Sequence, residues 1–394
     1  MKSFTIQKGV ALTLTAILAG PLAFHAYGTV HAKDQTATYQ AIDKVGNNEK
    51  EKKRKHREEV KRVMDQVVTT KGVPSVIAGG LQDGKSWSYA TGTASYEVPR
   101  PVESDFSFRI GSISKTFTAS VVLQLADEKK LNLDDSVEKW LPGVIKGKGY
   151  DGNKITIRQL LNHTSGLASY TDLDFRDITL PQNPYRYYSV DELIGMGFSK
   201  PPVFAPGKGW NYSNMNTVLA GQIIQKVTGE TYAEQIRKRF IIPLGMTGTF
   251  VMGNSHEIPG KHATGYNMDR SGHLYDLTEM NQSWANAAGD IVSTTIDLTT
   301  FFSALLGGEL LSQEMMDQMH TTVDGPFGKV GLGIYEFKTA DGQSYWGHAG
   351  GTFGYESRAV GSLDGKHILI TAINAVGPVV STAHDKIINK EFGR

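Results

Sequence analysis

Cysteine is absent from this 394-residue chain. That removes thiol nucleophiles, thiolate zinc sites, iron–sulfur clusters, disulfides and lipid attachment through cysteine. Net charge is almost absent as well, with 41 Lys and Arg against 40 Asp and Glu, so no nucleic-acid partner is expected. After the N-terminal segment, no apolar run is long enough to span a bilayer. The 11 histidines lack ligand spacing, and neither an H-E-x-x-H pair nor a G-x-S-x-G elbow occurs. No metal and no other cofactor is therefore expected. The 40% hydrophobic and 21% charged residues describe an ordinary globular chain, long enough for one large domain or two smaller ones.

Residues 1–32 read as a secretory signal peptide. Lys2 and Lys8 precede an apolar run over Val10 to Phe24, and Val30-His31-Ala32 offers small residues before a cut after Ala32. The product is then expected to be secreted, with no membrane anchor after cleavage, either free or loosely associated with a cell wall. Residues 33–49 are polar and aperiodic and read as a disordered linker. A folded domain follows over 50–394. Its first helix carries a solvated basic start, while Val60, Val63, Met64, Val67 and Val68 form one apolar face. That helix should end near Gly72-Val73-Pro74.

Strand signals concentrate at the two ends of this domain. Val76 to Leu81 and Lys85 to Ala90 flank Asp83-Gly84, a hairpin turn. Gly333 to Lys338, Ser344 to His348, Ser357 to Ser362 and His367 to Asn374 form a second group, followed by a closing helix. Between the groups the pattern is mostly helical, with capping boxes at Ser189 and Thr231 and a helix from Asn216 stopped by Gly229. The expectation is a mixed α/β (α+β) fold. One antiparallel sheet is built from both chain ends and flanked by helices, with a mostly helical subdomain inserted over about 112–325.

Gly147-Lys148-Gly149-Tyr150-Asp151-Gly152 spells a dinucleotide-binding pattern but lacks the preceding strand and following helix, so it reads as a loop. Ser112-Ile113-Ser114-Lys115 has better context, following a β-rich stretch and opening a helix with Phe117, Val121, Val122 and Leu125 on its core face. Ser and Lys three apart share a helix face, and a serine hydroxyl needs such an activator to act as nucleophile. The helix N-terminus adds an amide and a positive dipole end beside a developing oxyanion. Downstream, Tyr212-Ser213-Asn214 precedes another helix. Tyr212 is a candidate proton carrier if the Lys115 charge lowers its phenol pKa. Asn214 combines donor and acceptor and suits a substrate amide. His348-Ala349-Gly350 ends a predicted strand, and Gly350 lets a substrate backbone come close.

In this order the three elements resemble the serine β-lactamase and penicillin-recognising DD-peptidase superfamily. The resemblance runs from about Val60 to the C-terminus. It includes the stretches Ile155 to Leu167, Pro243-Leu244-Gly245-Met246-Thr247 and Ala288 to Thr295. Among its members the chain is most similar to secreted D-alanyl-D-alanine carboxypeptidases and alkaline D-peptidases, which also place His in the third motif. The resemblance implies a β-lactamase/transpeptidase-like fold over the domain at 50–394. It also implies Ser112 as acylated nucleophile, Lys115 as its activator, Tyr212 as proton shuttle and His348 completing the network near Tyr212. Asn214, Gly350, Gly351 and Thr352 would bind substrate, Trp284 would wall the cleft, and the amides of Ser112 and Gly351 would form the oxyanion hole.

One departure concerns substrate choice. The arginine that grips a terminal carboxylate in such carboxypeptidases is replaced by Tyr335, and no arginine follows until Arg358. Losing a bidentate clamp weakens selection for a free C-terminus. The expected function is a secreted serine hydrolase cutting bonds between D-residues. D-amino-acid or peptidoglycan stem peptides are the expected substrates, with β-lactams as covalent ligands. The alternatives are a class C-like β-lactamase or esterase, and a penicillin-binding sensor with little turnover.

Overall fold

The computed structural model describes residues 31–393, apart from 172–174, 176–179, 269–271 and 327. Residues 1–30 of the expected signal peptide lie outside the described residues. The chain divides into two units at Lys55/His56. Helix α1 runs His31–Val67 as one element, so residues 33–49, expected as a linker, are helical here. No helix among the described residues is long and apolar enough to cross a membrane.

Thirteen strands follow in the described residues: β1 Ser75–Gln82, β2 Lys85–Gly92, β3 Phe108–Arg109, β4 Phe250–Val251, β5 Tyr266–Met268, β6 Leu274–Asp276, β7 Ile291–Ser293, β8 Val323–Gly325, β9 Gly328–Val330, β10 Tyr335–Lys338, β11 Ser344–Thr352, β12 Tyr355–Gly361 and β13 His367–Ile373. The helices are α2 Ser114–Asp127, α3 Val137–Trp140, α4 Ile157–Leu161, α5 Leu180–Gln182, α6 Val190–Phe198, α7 Asn214–Thr228, α8 Tyr232–Ile236, α9 Thr295–Leu306, α10 Gln313–His320 and α11 Pro378–Phe392. The main sheet has the order β2-β1-β13-β12-β11-β10-β9-β8. As expected, strands from both chain ends pair within it, with Val76 of β1 opposite Ile373 of β13. Small sheets β3-β7-β4 and β5-β6 lie outside the sequence expectation.

Both faces of the main sheet are covered, which the period-2 alternation of β13 makes visible. Leu369 and Ile373 pack with Val60, Met64, Val67, Val380 and Ile387 of α1 and α11. Ile368, Ile370 and Ala372 belong instead to the large core containing Phe117, Phe301 and Phe302. Each such fully buried aliphatic side chain contributes roughly 1.5–3 kcal/mol.

Local signals fix several helix ends. The expected box at Thr231 is complete, with the Glu234 carboxylate returning to the Thr231 amide. At Ser189 only half forms: the Glu192 amide donates to Ser189 Oγ, while the Glu192 carboxylate is taken by Arg186. Helix α7 stops at Gly229, whose φ of 76° is left-handed. The hairpin β1–β2 also spells a phosphate-loop pattern, Gly79 to Ser86, that the sequence reading does not single out. It runs strand–turn–strand with no following helix, so no phosphate cradle forms.

Candidate active site

Ser112 sits in a single 3-10 turn, Gly111–Ile113, that leads into α2. Helix α2 is buried almost all round, including Lys115. The turn rests directly on β11. A Cβ on Gly350 would collide with the Ile110 carbonyl oxygen, and one on Gly111 would lie 2.8 Å from the Gly351 oxygen. Gly111 also has a left-handed φ of 51°. Ser357 on β12 braces the same place, its hydroxyl donating to Ile110 O. These contacts bring the first and third motifs together backbone to backbone.

Tyr212 arrives from the turn before α7, and its hydroxyl donates to Ser112 Oγ at 2.6 Å. Lys115 Nζ lies 3.0 Å from the same oxygen and donates to the Ala288 carbonyl at 2.8 Å. It also stands 4.8 Å from the centre of the Tyr212 ring. Ser112 and Tyr212 are half-buried, so solvent and ligands reach this junction. Burial pushes the Lys115 ammonium well below its ordinary pKa, which favours a neutral amine. Burial likewise pushes the Tyr212 phenol upward, against a smaller opposite effect of its bond to Ser112. The expectation that the Lys115 charge lowers the phenol pKa is therefore not met. Tyr212 stays a neutral phenol, and Lys115 is the group whose proton affinity burial lowers.

The other expected residues are arranged around this junction. His348 does not hydrogen-bond Tyr212. Its Nδ1 lies 2.5 Å from the Ala349 carbonyl oxygen, so that nitrogen carries the proton. Its Nε2 is then a buried acceptor without a partner. Burial, and secondarily the Lys115 charge, push its pKa down to about 3, so the ring stays neutral. Tyr335 packs edge-on against His348 with centroids 4.8 Å apart. Asn214 Nδ2 donates to Thr171 Oγ1 at 3.0 Å. Trp284 packs edge-on against Phe353, 5.7 Å between centroids, just past the end of β11. Thr352 Oγ1 is buried without a partner.

Strand β11 also leaves an edge open. β10 pairs with it only from Ser344 to Gly347, while β12 continues to Thr352. Residues 348–352 thus present free backbone groups on one side, where an extended ligand can add as a strand. Gly351 is exposed, and a Cβ there would meet nothing within 4 Å.

Arg358 takes no part. Cross-strand partners share a sheet face, and Arg358 stands opposite Ala349 and Thr371. Thr371 bonds His384 of α11 at 2.7 Å, and Arg358 itself pairs with Glu356 at 2.9 Å. Its face is that of α11, away from the Ser112 turn. Two contributors escaped the sequence reading as site residues. The Ala288 carbonyl is backbone and carries no signal, whereas His163 lies within the stretch from Ile155 to Leu167 and packs 4.6 Å from the Tyr212 ring.

Residues 60–391 match the Beta-lactamase family. The chain is 30% identical over 338 residues to penicillin-binding protein 4* of Bacillus subtilis (strain 168), spanning 82% of this chain and 72% of that protein. Among solved structures it is similar to a D-stereospecific amidohydrolase from Streptomyces sp., with TM-score 0.79 and 38% identity over 85% of this chain and 98% of that one. It is also similar to the D-amino acid amidase of Ochrobactrum anthropi SV3 complexed with D-phenylalanine, with TM-score 0.75 and 26% identity over 85% and 98% of the two chains. A match running nearly the whole length of the folded domain, over strands and helices that bring the three motifs together, makes this chain a member of the Beta-lactamase family of serine hydrolases.

Proposed function

We propose that the protein is a secreted D-stereospecific serine peptidase or amidase that works through a Ser112 acyl-enzyme and needs no free C-terminal carboxylate. The observation that carries this is the chain of contacts from Tyr212 through Ser112 to Lys115, with Tyr335 in place of the arginine of the carboxypeptidases the chain resembles. Tyr335, at the sequence position where the resembled carboxypeptidases carry their arginine, packs against His348, and Arg358 belongs to the α11 face of the sheet. The relatives named above, a penicillin-binding protein and two D-specific amide hydrolases, support D-amino-acid amides or peptides as substrates and β-lactams as covalent ligands. Peptidoglycan stem peptides fit the same chemistry.

The geometry suggests each step. The neutral Lys115 amine takes the Ser112 proton as Oγ attacks the substrate carbonyl. The backbone amides of Ser112 and Gly351, held side by side by the Gly111–Gly351 contact, receive the oxyanion. Tyr212 gives its phenolic proton to the departing amine and regains one from the Lys115 ammonium, so the C–N bond breaks without expelling an amide anion. Water then attacks the ester by the reverse proton path, releasing the D-acyl product and restoring Ser112.

The test pairs a D-aromatic peptide and a D-Ala-D-Ala peptide, each with a free or amidated C-terminus. Amidation is expected to change kcat/KM by less than about tenfold, or roughly 1.4 kcal/mol. A clamped carboxylate would contribute on the order of 1.5–3 kcal/mol. A large loss on amidating both peptides overturns the reading, and hydrolysis of L-peptides at equal rate removes its stereochemical part.

A further inference from the structure

His163 combines features that a core histidine does not need. It is buried, and its backbone is left-handed with φ 63°, a conformation costly for a residue with a side chain. Its ring lies 4.6 Å from the Tyr212 ring at an interplanar angle of 35°. Its Nδ1 faces two groups from the segment that carries Tyr212: Asn216 Nδ2 at 2.9 Å and the Ser213 backbone N–H at 3.4 Å. Asn216 Oδ1 already accepts from Ser165 Oγ at 2.6 Å, which leaves Nδ2 as the end donating to the imidazole. Nδ1 is therefore an acceptor, and the ring's one proton sits on Nε2. The His163 carbonyl also accepts from the Asn211 amide at 3.0 Å. One residue thus holds the backbone before Tyr212, the amide after it and the first turn of α7, while its ring packs on the phenol.

We propose that His163 is a positioning residue that keeps the Tyr212 phenol on Ser112 Oγ, so that proton delivery to the leaving group depends on it. This rests on the assignment of Tyr212 as the leaving-group donor. The other charged or titratable groups facing the ring support a fixed neutral state. Burial first, then the repulsion that any positive charge on the neighbouring Lys115 or His348 would exert, push its pKa well below the ordinary histidine value. A second ring proton would point Nδ1–H at two donors and break both ties, so the neutral tautomer is the one that holds the turn.

A merely structural histidine and a positioning one differ in how they treat the leaving group. An amide needs its nitrogen protonated as the bond breaks, whereas an activated ester leaves unaided. The readout is the ratio of kcat/KM for a D-phenylalanine amide to that for the matching p-nitrophenyl ester. In His163→Ala this ratio should fall more than about thirtyfold, within the range of general acid catalysis. His163→Asn keeps an acceptor and tolerates left-handed backbone but bares the phenol face. Its ratio should fall roughly three- to tenfold. If the alanine variant does not fold, the asparagine variant alone decides. A ratio within about twofold of wild type in a folded variant overturns the inference, as do equal losses on both substrates. Tyr212→Phe is the control. If it shows no amide-selective loss, the donor assignment itself fails and the inference falls with it. If it does show that loss while the His163 variants do not, the inference alone fails.

Discussion

The Lys115 amine donates to the Ala288 carbonyl oxygen at 2.8 Å, and among the described residues no carboxylate is paired with it. That pairing fits the role of base proposed for Lys115. A carboxylate partner would hold the ammonium charged, whereas a carbonyl accepts one N–H and leaves the lone pair of a neutral amine for the Ser112 hydroxyl. Asp290, two residues on from Ala288, is engaged elsewhere. Its Oδ2 accepts from the Tyr232 hydroxyl at 2.5 Å, and burial pushes its pKa up to about 7, so it is only partly ionised near neutral pH.

The acid limb of the pH profile should therefore report Lys115. The lowered pKa means that the active, neutral amine accumulates as pH rises through a value well below the ordinary lysine figure of about 10.4. Below that value activity falls. Lys115→Met should retain the fold, since it removes a costly buried amine, and should slow acylation by at least about a hundredfold. Intact-mass measurement of penicillin adduct formation against pH checks both points. An acid limb that persists unchanged in the variant would assign it to another group.

The contact between Gly350 and the Ser112 turn gives a steric prediction. Gly350→Ala places a methyl against Ile110 O and 2.7 Å from Ser357 Oγ, so the turn or the strand must move. Overpacking of this kind costs about 1–3 kcal/mol. Because the displaced element carries Ser112, the proposed nucleophile, kcat/KM should fall by roughly a hundredfold or more, since misplacement of about 1 Å has that effect. Gly351→Ala meets open space and should leave the melting temperature unchanged. Equal melting temperatures for the two variants would contradict the close approach.

Much of this arrangement was legible in the sequence. The terminal strands and the turns Asp83-Gly84, Asp341-Gly342 and Asp364-Gly365 carry period-2 patterns and turn residues, and all four expected strands near the C-terminus formed. The order of the first two motifs likewise pointed to the Ser112–Lys115–Tyr212 junction. What was not legible depends on tertiary burial or on backbone atoms. The phenol pKa was expected to respond to the Lys115 charge, yet desolvation dominates once the ring is enclosed. The Ala288 carbonyl has no side-chain signature. Strands of two or three residues, such as Phe250–Val251 and Ile291–Ser293, are too short for periodicity to reveal.

Glu391 should make stability acid-sensitive. It is buried, its Oε2 and Oε1 accept from Arg57 at 2.7 and 3.0 Å, and His367 Nε2 lies 2.8 Å from Oε1. Burial alone would raise its pKa, but the bonds to His367 and Arg57 outweigh that and hold it below the ordinary value. A depressed folded pKa stabilises above the unfolded value of about 4.3 and loses that contribution as pH falls through the folded one. Glu391→Gln removes the negative charge facing Arg57, which keeps its bond to Gln82 at 3.0 Å, and should cost on the order of 2–3 kcal/mol at neutral pH. The deficit should shrink below about pH 4. Urea titrations at pH 7 and pH 3.5 measure it, and a deficit independent of pH would show that the cost lies in packing rather than charge.

Arg358 separates substrate recognition from stability. It lies on the α11 face of the sheet and pairs with Glu356, a buried carboxylate that also accepts from Ser381. Arg358→Gln removes the charge facing Glu356 and should destabilise by about 3 kcal/mol, typical of breaking a buried pair. Since the side chain is on the wrong face to meet a ligand at Ser112, the ratio of kcat/KM for free and amidated D-peptides should stay within about twofold of wild type. A selective loss on the free-carboxylate peptides, with the amidated ones unaffected, would mean that this arginine reaches the cleft after all. In that case the missing clamp would be replaced from β12, and strict carboxypeptidase action would regain its footing.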